Sequence, residues 1–188
     1  MNFKSNALKI AKMAMLVAVS IVLVLLIHFP IFPMVPFLEY DPADIPILIG
    51  GLAFGPVVGG ILTIVTAVIQ GVTVSAGSGV YGIIMHIIAT LALVLTSSII
   101  YNNKKNKKRA IIGLACGCGA MVVLMFFANM WITPAFMGVP LPELMKLMIF
   151  ILLFNLIKAV VNSAVTFVLY KKISPFLHKD QTAPKTTK

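Results

Sequence analysis

Apolar stretches of helical length, broken by short polar or proline-rich joints, run through the chain from Leu8 to Tyr170. Five of them, over 8–27, 56–73, 80–101, 110–131 and 144–170, come near the ~20 residues that a membrane-crossing helix needs. A sixth, over 43–54, is as apolar but too short to cross without help. Lipid offers no partners to backbone N–H and C=O groups, so the pattern predicts closed helices. The expected fold is all-α and integral to a membrane. It has six transmembrane helices in one domain, 1–175, with a Pro-rich outer loop after helix 1 and a short helix 2. A polar tail, 176–188, is expected to be cytoplasmic and disordered. The first span is expected to be retained: it is long, no small-residue cleavage site follows it, and further spans come after.

Composition points to the same solvent. Hydrophobic residues make up 60% of the chain and charged residues 11%, against about half and about a quarter in soluble domains. Charge then sets the orientation. Lys4, Lys9 and Lys12 precede span 1, and Lys104, Lys105, Lys107, Lys108 and Arg109 join spans 4 and 5. Lys171, Lys172, Lys179, Lys185 and Lys188 follow span 6. Six crossings bring all three clusters to one side, which the positive-inside rule makes cytoplasmic. Both termini are therefore expected inside a cell membrane, with Glu39, Asp41, Asp44 and Glu143 on the other side. The net charge of +10 is accounted for by a basic rim against anionic lipid. It requires no nucleic-acid partner.

Motifs for covalent chemistry are missing. The sequence has no G-x-x-x-x-G-K-[ST] phosphate loop and no H-E-x-x-H. It has no G-x-S-x-G elbow, and His28, His86 and His178 lack ligand spacing. Cys116 and Cys118 point in different directions on a helix and read as small packing residues. The two halves show no strong repeat, which weakens an inverted-repeat transporter. Binding or transport ranks above an enzyme, and no cofactor or metal is expected.

Two stripes of small residues stand out. Ala7, Ala11, Ala14 and Ala18 share one face of span 1, while Gly51, Gly55 and Gly59 are spaced by four around Pro56. Small residues let helices approach closely in lipid. The glycines are expected to pack within the fold. The alanines lie in the cytoplasmic half of the first helix, within reach of a partner.

The segment "FPIFPMVPFLEYDPADIP" excludes a regular helix or a central strand. It is too apolar for a free loop, so it should fold back over the helix ends. Asp41 reads as an N-cap, Pro42 as the first helical residue, and Asp44 as a first-turn acid. Glu39 and Tyr40 have no such duty and are freer to touch a ligand. The last span carries Asn155, Lys158 and Asn162 on one helical face. A lysine near mid-membrane costs roughly 2.5–3.5 kcal/mol on insertion scales, so it must face protein or a cavity. It either pairs with Glu39 or Glu143, snorkels along a tilted helix, or presents donors to a ligand.

Four features together resemble the substrate-binding S component of energy-coupling factor (ECF) transporters. They are "AKMAMLVAVS", "PFLEYDPADIPILIGGLAFGPVVGG", the six spans in under 200 residues, and the polar last helix. "EYDPADIP" with "FGPVVGG", and "FNLIKAVVN", bring the chain nearest to the riboflavin-specific S component. The resemblance covers about residues 5–175. It implies a protein that binds a vitamin from outside and carries no motor. A transmembrane coupling subunit and two cytosolic ATPases would supply the energy. It also implies that Ala11, Ala14 and Ala18 meet the coupling subunit.

Asn155 and Lys158 then become the expected contacts to the polar edge of a riboflavin ring, bound as cargo. Asn supplies both a donor and an acceptor. Asn129 is a weaker polar candidate, and Asn162 should only support packing. Phe37, Leu38, Tyr40, Trp131 and Phe154 could wall the ring, although Trp131 and Tyr40 equally suit interface anchoring. His86, Thr63, Thr66 and Gln70 are expected to form interhelical hydrogen bonds. The alternatives are an S component for biotin or pantothenate, whose carboxylate Lys158 could meet, an ion-coupled secondary transporter, and a membrane enzyme. The second wants a deep carboxylate, and none is expected inside the spans. The third wants acid–base groups at the bilayer face.

Overall fold

The computed structural model describes residues 3–178. Six helices account for nearly all of it: α1 (Phe3–Leu26), α2 (Asp44–Phe54), α3 (Pro56–Val72), α4 (Gly79–Asn103), α5 (Lys107–Met137) and α6 (Leu141–His178). Four of these, α1, α4, α5 and α6, are long and apolar enough to cross a membrane. The helix α2, with 11 residues, is too short to cross alone, and α3, with 17, sits at the lower limit of a crossing, so four long helices and two shorter ones stand where six spans were expected. The helix α6 continues past residue 175 to His178, and the expected tail at 179–188 lies outside the described residues.

The helix α2 is apolar all round and sits inside the bundle, with every residue from Asp44 to Ala53 buried. Such a helix belongs in a core and not on a surface. It touches α1, α3, α4 and α6. Gly55, at φ 100°, breaks it. That backbone is strained for any residue with a Cβ. Pro56 then starts α3 at the position where its missing N–H costs nothing. The chain therefore reverses within one residue.

The reversal presses α2 against α3 through the glycines. A Cβ on Gly59 would sit 2.5 Å from Val94 Cγ1 and 3.0 Å from the Cα of Gly51. The glycine stripe is thus internal packing. Gly59→Ala is expected to destabilise the protein by about 1–3 kcal/mol, because one of the obstructing atoms is backbone. Gly60→Ala is the control: its nearest atoms would lie at 3.7 and 3.8 Å, so its melting temperature in detergent should match or exceed the parent's.

Large apolar side chains stay exposed along α1, α3, α5 and α6, among them Val22, Ile61, Leu124, Phe127 and Val160. Soluble monomers rarely show such continuous apolar surface, and lipid is the solvent that accepts it. At one end, residues 27–40 fold over the tips of α5 and α6. Their two short strands, β1 (Phe29–Pro30) and β2 (Glu39–Tyr40), pair antiparallel. Val35 is fully buried there against Leu144, Met148 and Ile151. The Pro-rich segment thus covers the helix ends as its apolarity predicts.

Candidate functional site

Beneath that cover lies a cavity of about 130 Å³, bounded by the loop and by α3, α4, α5 and α6. Phe37, Leu38, Met121, Met125 and Phe154 form apolar wall, and Asp41, Gln70, His86, Asn155 and Lys158 form the polar side. A smaller cavity of about 70 Å³ adjoins it and shares Phe37, Leu38, Met85 and Met125. Asn129 opens onto this second space beside Thr133. The dividing side chains include two methionines, whose flexible thioethers can repack around a larger guest.

The polar side is a network tying the loop to α6. Lys158 Nζ donates to Asp41 Oδ2 at 2.8 Å, and both groups are buried. Gln70 Nε2 donates to the same oxygen at 3.3 Å, while the Ala43 N–H donates to Asp41 Oδ1 at 3.0 Å. Asp41 therefore does help to start α2, but the helix begins two residues later than Pro42 and the carboxylate is chiefly an ion-pair partner. The partner of Lys158 is neither Glu39 nor Glu143. Asp44 is fully buried and accepts from Thr90 Oγ1 at 2.7 Å and Asn162 Nδ2 at 3.1 Å. Two deep carboxylates thus exist where none was expected inside the spans. They arrive on the loop and on the short central helix, not on the long spans.

Asn162 does more than pack. Its amide donates to the Asp41 carbonyl at 3.2 Å and to Asp44, and its own oxygen accepts the Tyr40 hydroxyl at 2.9 Å. Tyr40 is thereby turned away from the cavity lining and pins β2 to α6. Burial raises its phenol pKa above the ordinary value, with Lys158 opposing the shift, so at neutral pH it remains a donor. Trp131 is 82% exposed and cannot wall the cavity; it suits an interface anchor.

Of the expected ligand contacts, Leu38, Glu39, Asn155 and Lys158 line the main cavity and Asn129 the adjoining one. Asn155 gives one N–H to the Ile151 carbonyl at 2.8 Å. Its second N–H and its oxygen are left for a guest. Asn129 is more committed: it donates to the Met125 carbonyl and accepts from Thr133. Gln70 does bond between elements, but Thr63 bonds only to Gly59 within its own helix. His86 makes no hydrogen bond among the described residues; its Nε2 lies 3.9 Å from Asp44 Oδ1 and its ring lines the cavity. Asp41, Gln70 and His86 are the lining residues that sequence reasoning missed as such. Only the buried network distinguishes them, because a capping aspartate and mid-helix polar residues look the same in a linear pattern. The described residues hold no group of acids, histidines and cysteines arranged for a metal.

Ala11, Ala14 and Ala18 are exposed on the outer face of α1, while Lys12, Leu16, Ser20 and Val24 turn inward. The alanine stripe is open surface and not internal packing.

The profile of the substrate-specific component of ECF transporters matches residues 8–170. The chain belongs to that family. It is 30% identical over 95% of its length to riboflavin transporter RibU of Staphylococcus aureus strain TCH60, covering 96% of that protein. It is 29% identical over 93% of its length to riboflavin transporter FmnP of Bacillus subtilis strain 168, again covering 96%. A solved structure, described as the structure and mechanism of the S component of a bacterial ECF transporter, superposes with a TM-score of 0.81. It shares 30% identity over 92% of this chain and 98% of its own. S components bind a transported substrate, so this chain is a multi-pass membrane transport component and not an enzyme.

Proposed function

We propose that this S component binds riboflavin from outside the cell and delivers it through a separate coupling subunit and two ATPases. The observation that carries this is the composition of the cavity. Apolar walls of Phe37, Leu38, Phe154 and methionine face a polar side on which Asn155 and Lys158 stand with Asp41, Gln70 and His86. A flat tricyclic ring with carbonyl and imine acceptors and one N–H on a single edge needs that division. The riboflavin transporters among its relatives support the same assignment. Lys158 is already paired with Asp41, which disfavours biotin or pantothenate: a ligand carboxylate would compete with a protein carboxylate for one ammonium. All six helices would cross or enter the bilayer, with α2 entering from the outer side, α3 returning to it beside Asp41, and both termini cytoplasmic. Ala11, Ala14 and Ala18 would face the coupling subunit.

Asn155→Ala tests the cargo assignment with little disturbance, because it leaves the ion pair in place. Unpaired ring acceptors cost roughly 1–3 kcal/mol, or about 5- to 150-fold in affinity. Riboflavin titrated against the purified parent should quench its own fluorescence saturably, and the variant should bind weaker by that order. Tight binding that is unchanged in Asn155→Ala would place the ring elsewhere. A parent that carries no flavin absorption and binds none would sink the cargo assignment altogether.

A further inference from the structure

At the opposite, lysine-rich end lies the roomiest of the three described cavities, about 330 Å³. It opens between the α4–α5 turn and the C-terminal part of α6. Lys105, Lys107 and Lys171 stand around it, and Tyr101, Phe167 and Tyr170 form its apolar floor. The three lysines are exposed and no described carboxylate reaches them. Glu39, Asp41, Asp44 and Glu143 are all placed at the other end or in the core, and Asp180 lies outside the described residues. Tyr101 and Tyr170 meet edge to face, with ring centroids 5.7 Å apart. The floor is therefore an apolar surface, its two tyrosine rings packed on each other, beneath three cations.

We propose that this cavity binds a phosphate ester with an apolar body, and specifically the headgroup of an anionic phospholipid. The phosphate takes the lysines, while the glycerol and the first acyl carbons lie on the tyrosine and phenylalanine faces. Two observations favour lipid over a soluble phosphate. The cavity sits at the lysine-rich end of the spanning helices, where basic pockets between helices recruit such lipids. Its floor is apolar, built from Leu52, Tyr101, Ala110, Phe167 and Tyr170, no carboxylate lines it, and the one amide at its rim, Asn106, already accepts the Arg109 N–H. The assignment is independent of which vitamin the other cavity holds.

The test uses the purified full chain in a neutral detergent. It is titrated with dioctanoyl phosphatidylglycerol, dioctanoyl phosphatidylcholine, glycerol phosphate and inorganic phosphate, and thermal stability is followed. Phosphatidylglycerol should stabilise saturably, at concentrations about tenfold or more below those at which phosphatidylcholine acts. The variant Lys105→Gln/Lys107→Gln/Lys171→Gln should lose on the order of 100-fold in affinity, on the scale of one surface lysine each. Lys104→Gln/Lys108→Gln/Lys172→Gln removes the same charge from exposed positions outside the cavity and should keep its affinity within a few-fold. Should the first variant not purify, Lys105→Gln alone should still lose about fivefold. Equal losses in the two triple variants would mean diffuse surface charge and overturn the site. Equal stabilisation by glycerol phosphate or inorganic phosphate would assign the cavity to soluble phosphates and overturn the lipid assignment. Riboflavin affinity should be the same in all variants, which separates this site from the vitamin cavity.

Discussion

Lys158→Met should destabilise the protein by about 3–5 kcal/mol, because it strands the buried Asp41 carboxylate without its counter-charge. Asp41 is 4% exposed and Lys158 7%, and the pair is 2.8 Å apart. Asp41→Asn should cost a comparable amount by stranding the ammonium. The double variant Asp41→Asn/Lys158→Met should be more stable than either single one, since no unpaired charge remains. Thermal unfolding in detergent, with the parent and all three variants in parallel, reads the cycle. Strictly additive losses would mean that the two groups do not act as a pair. The consequence for ligand binding is practical. A Lys158 variant that loses riboflavin affinity has not shown that Lys158 touches the ring, because the loop carrying Asp41 is held by the same bond. Binding by the double variant, in which the loop is freed of stranded charge, separates contact from support.

Ala14→Trp should abolish vitamin uptake in cells that hold the complete transporter, while the purified variant binds ligand as the parent does. Ala11, Ala14 and Ala18 form an exposed stripe without polar groups. Side chains that small let a partner helix approach in lipid, where hydrophobicity gives no drive to associate. An indole at the centre of that stripe would hold the partner off by its full width. The vitamin cavity is bounded by the loop, α3, α4, α5 and α6, so α1 can be altered without touching it. Normal uptake by Ala14→Trp would show that the coupling subunit meets another face. Lost uptake with lost binding would point to general damage instead.

Much of the helical architecture was legible in the sequence, because lipid enforces it locally. Each long apolar run must close its own hydrogen bonds, so α1, α4, α5 and α6 could be placed within a few residues, although α5 and α6 run further at both ends. The helices α2 and α3 were also located, with the break at Gly55 and Pro56. What their length could not say is that α2 lies wholly inside the protein. Periodicity cannot distinguish a lipid-covered helix from a protein-covered one, since both are apolar on every side.

The site divides along the same line. Asn155 and Lys158 announced themselves because a polar stripe in a membrane helix must face something other than lipid. The exposed alanines of α1 and the Pro-rich cover followed from equally local arguments. The partner of Lys158 did not. Asp41 lies 117 residues away in the chain, in a tetrapeptide that a helix start already explained. Tyr40 and Asn162, 122 residues apart, gave no sign of their bond, and Tyr40 was expected on the cavity wall. Sequence by itself determined which segments belong to the bilayer and which faces carry polar groups, because desolvation acts on each residue where it stands. Only the tertiary structure decided which carboxylate meets which amine, because ion pairs and hydrogen bonds form between atoms a few ångströms apart whatever their separation along the chain.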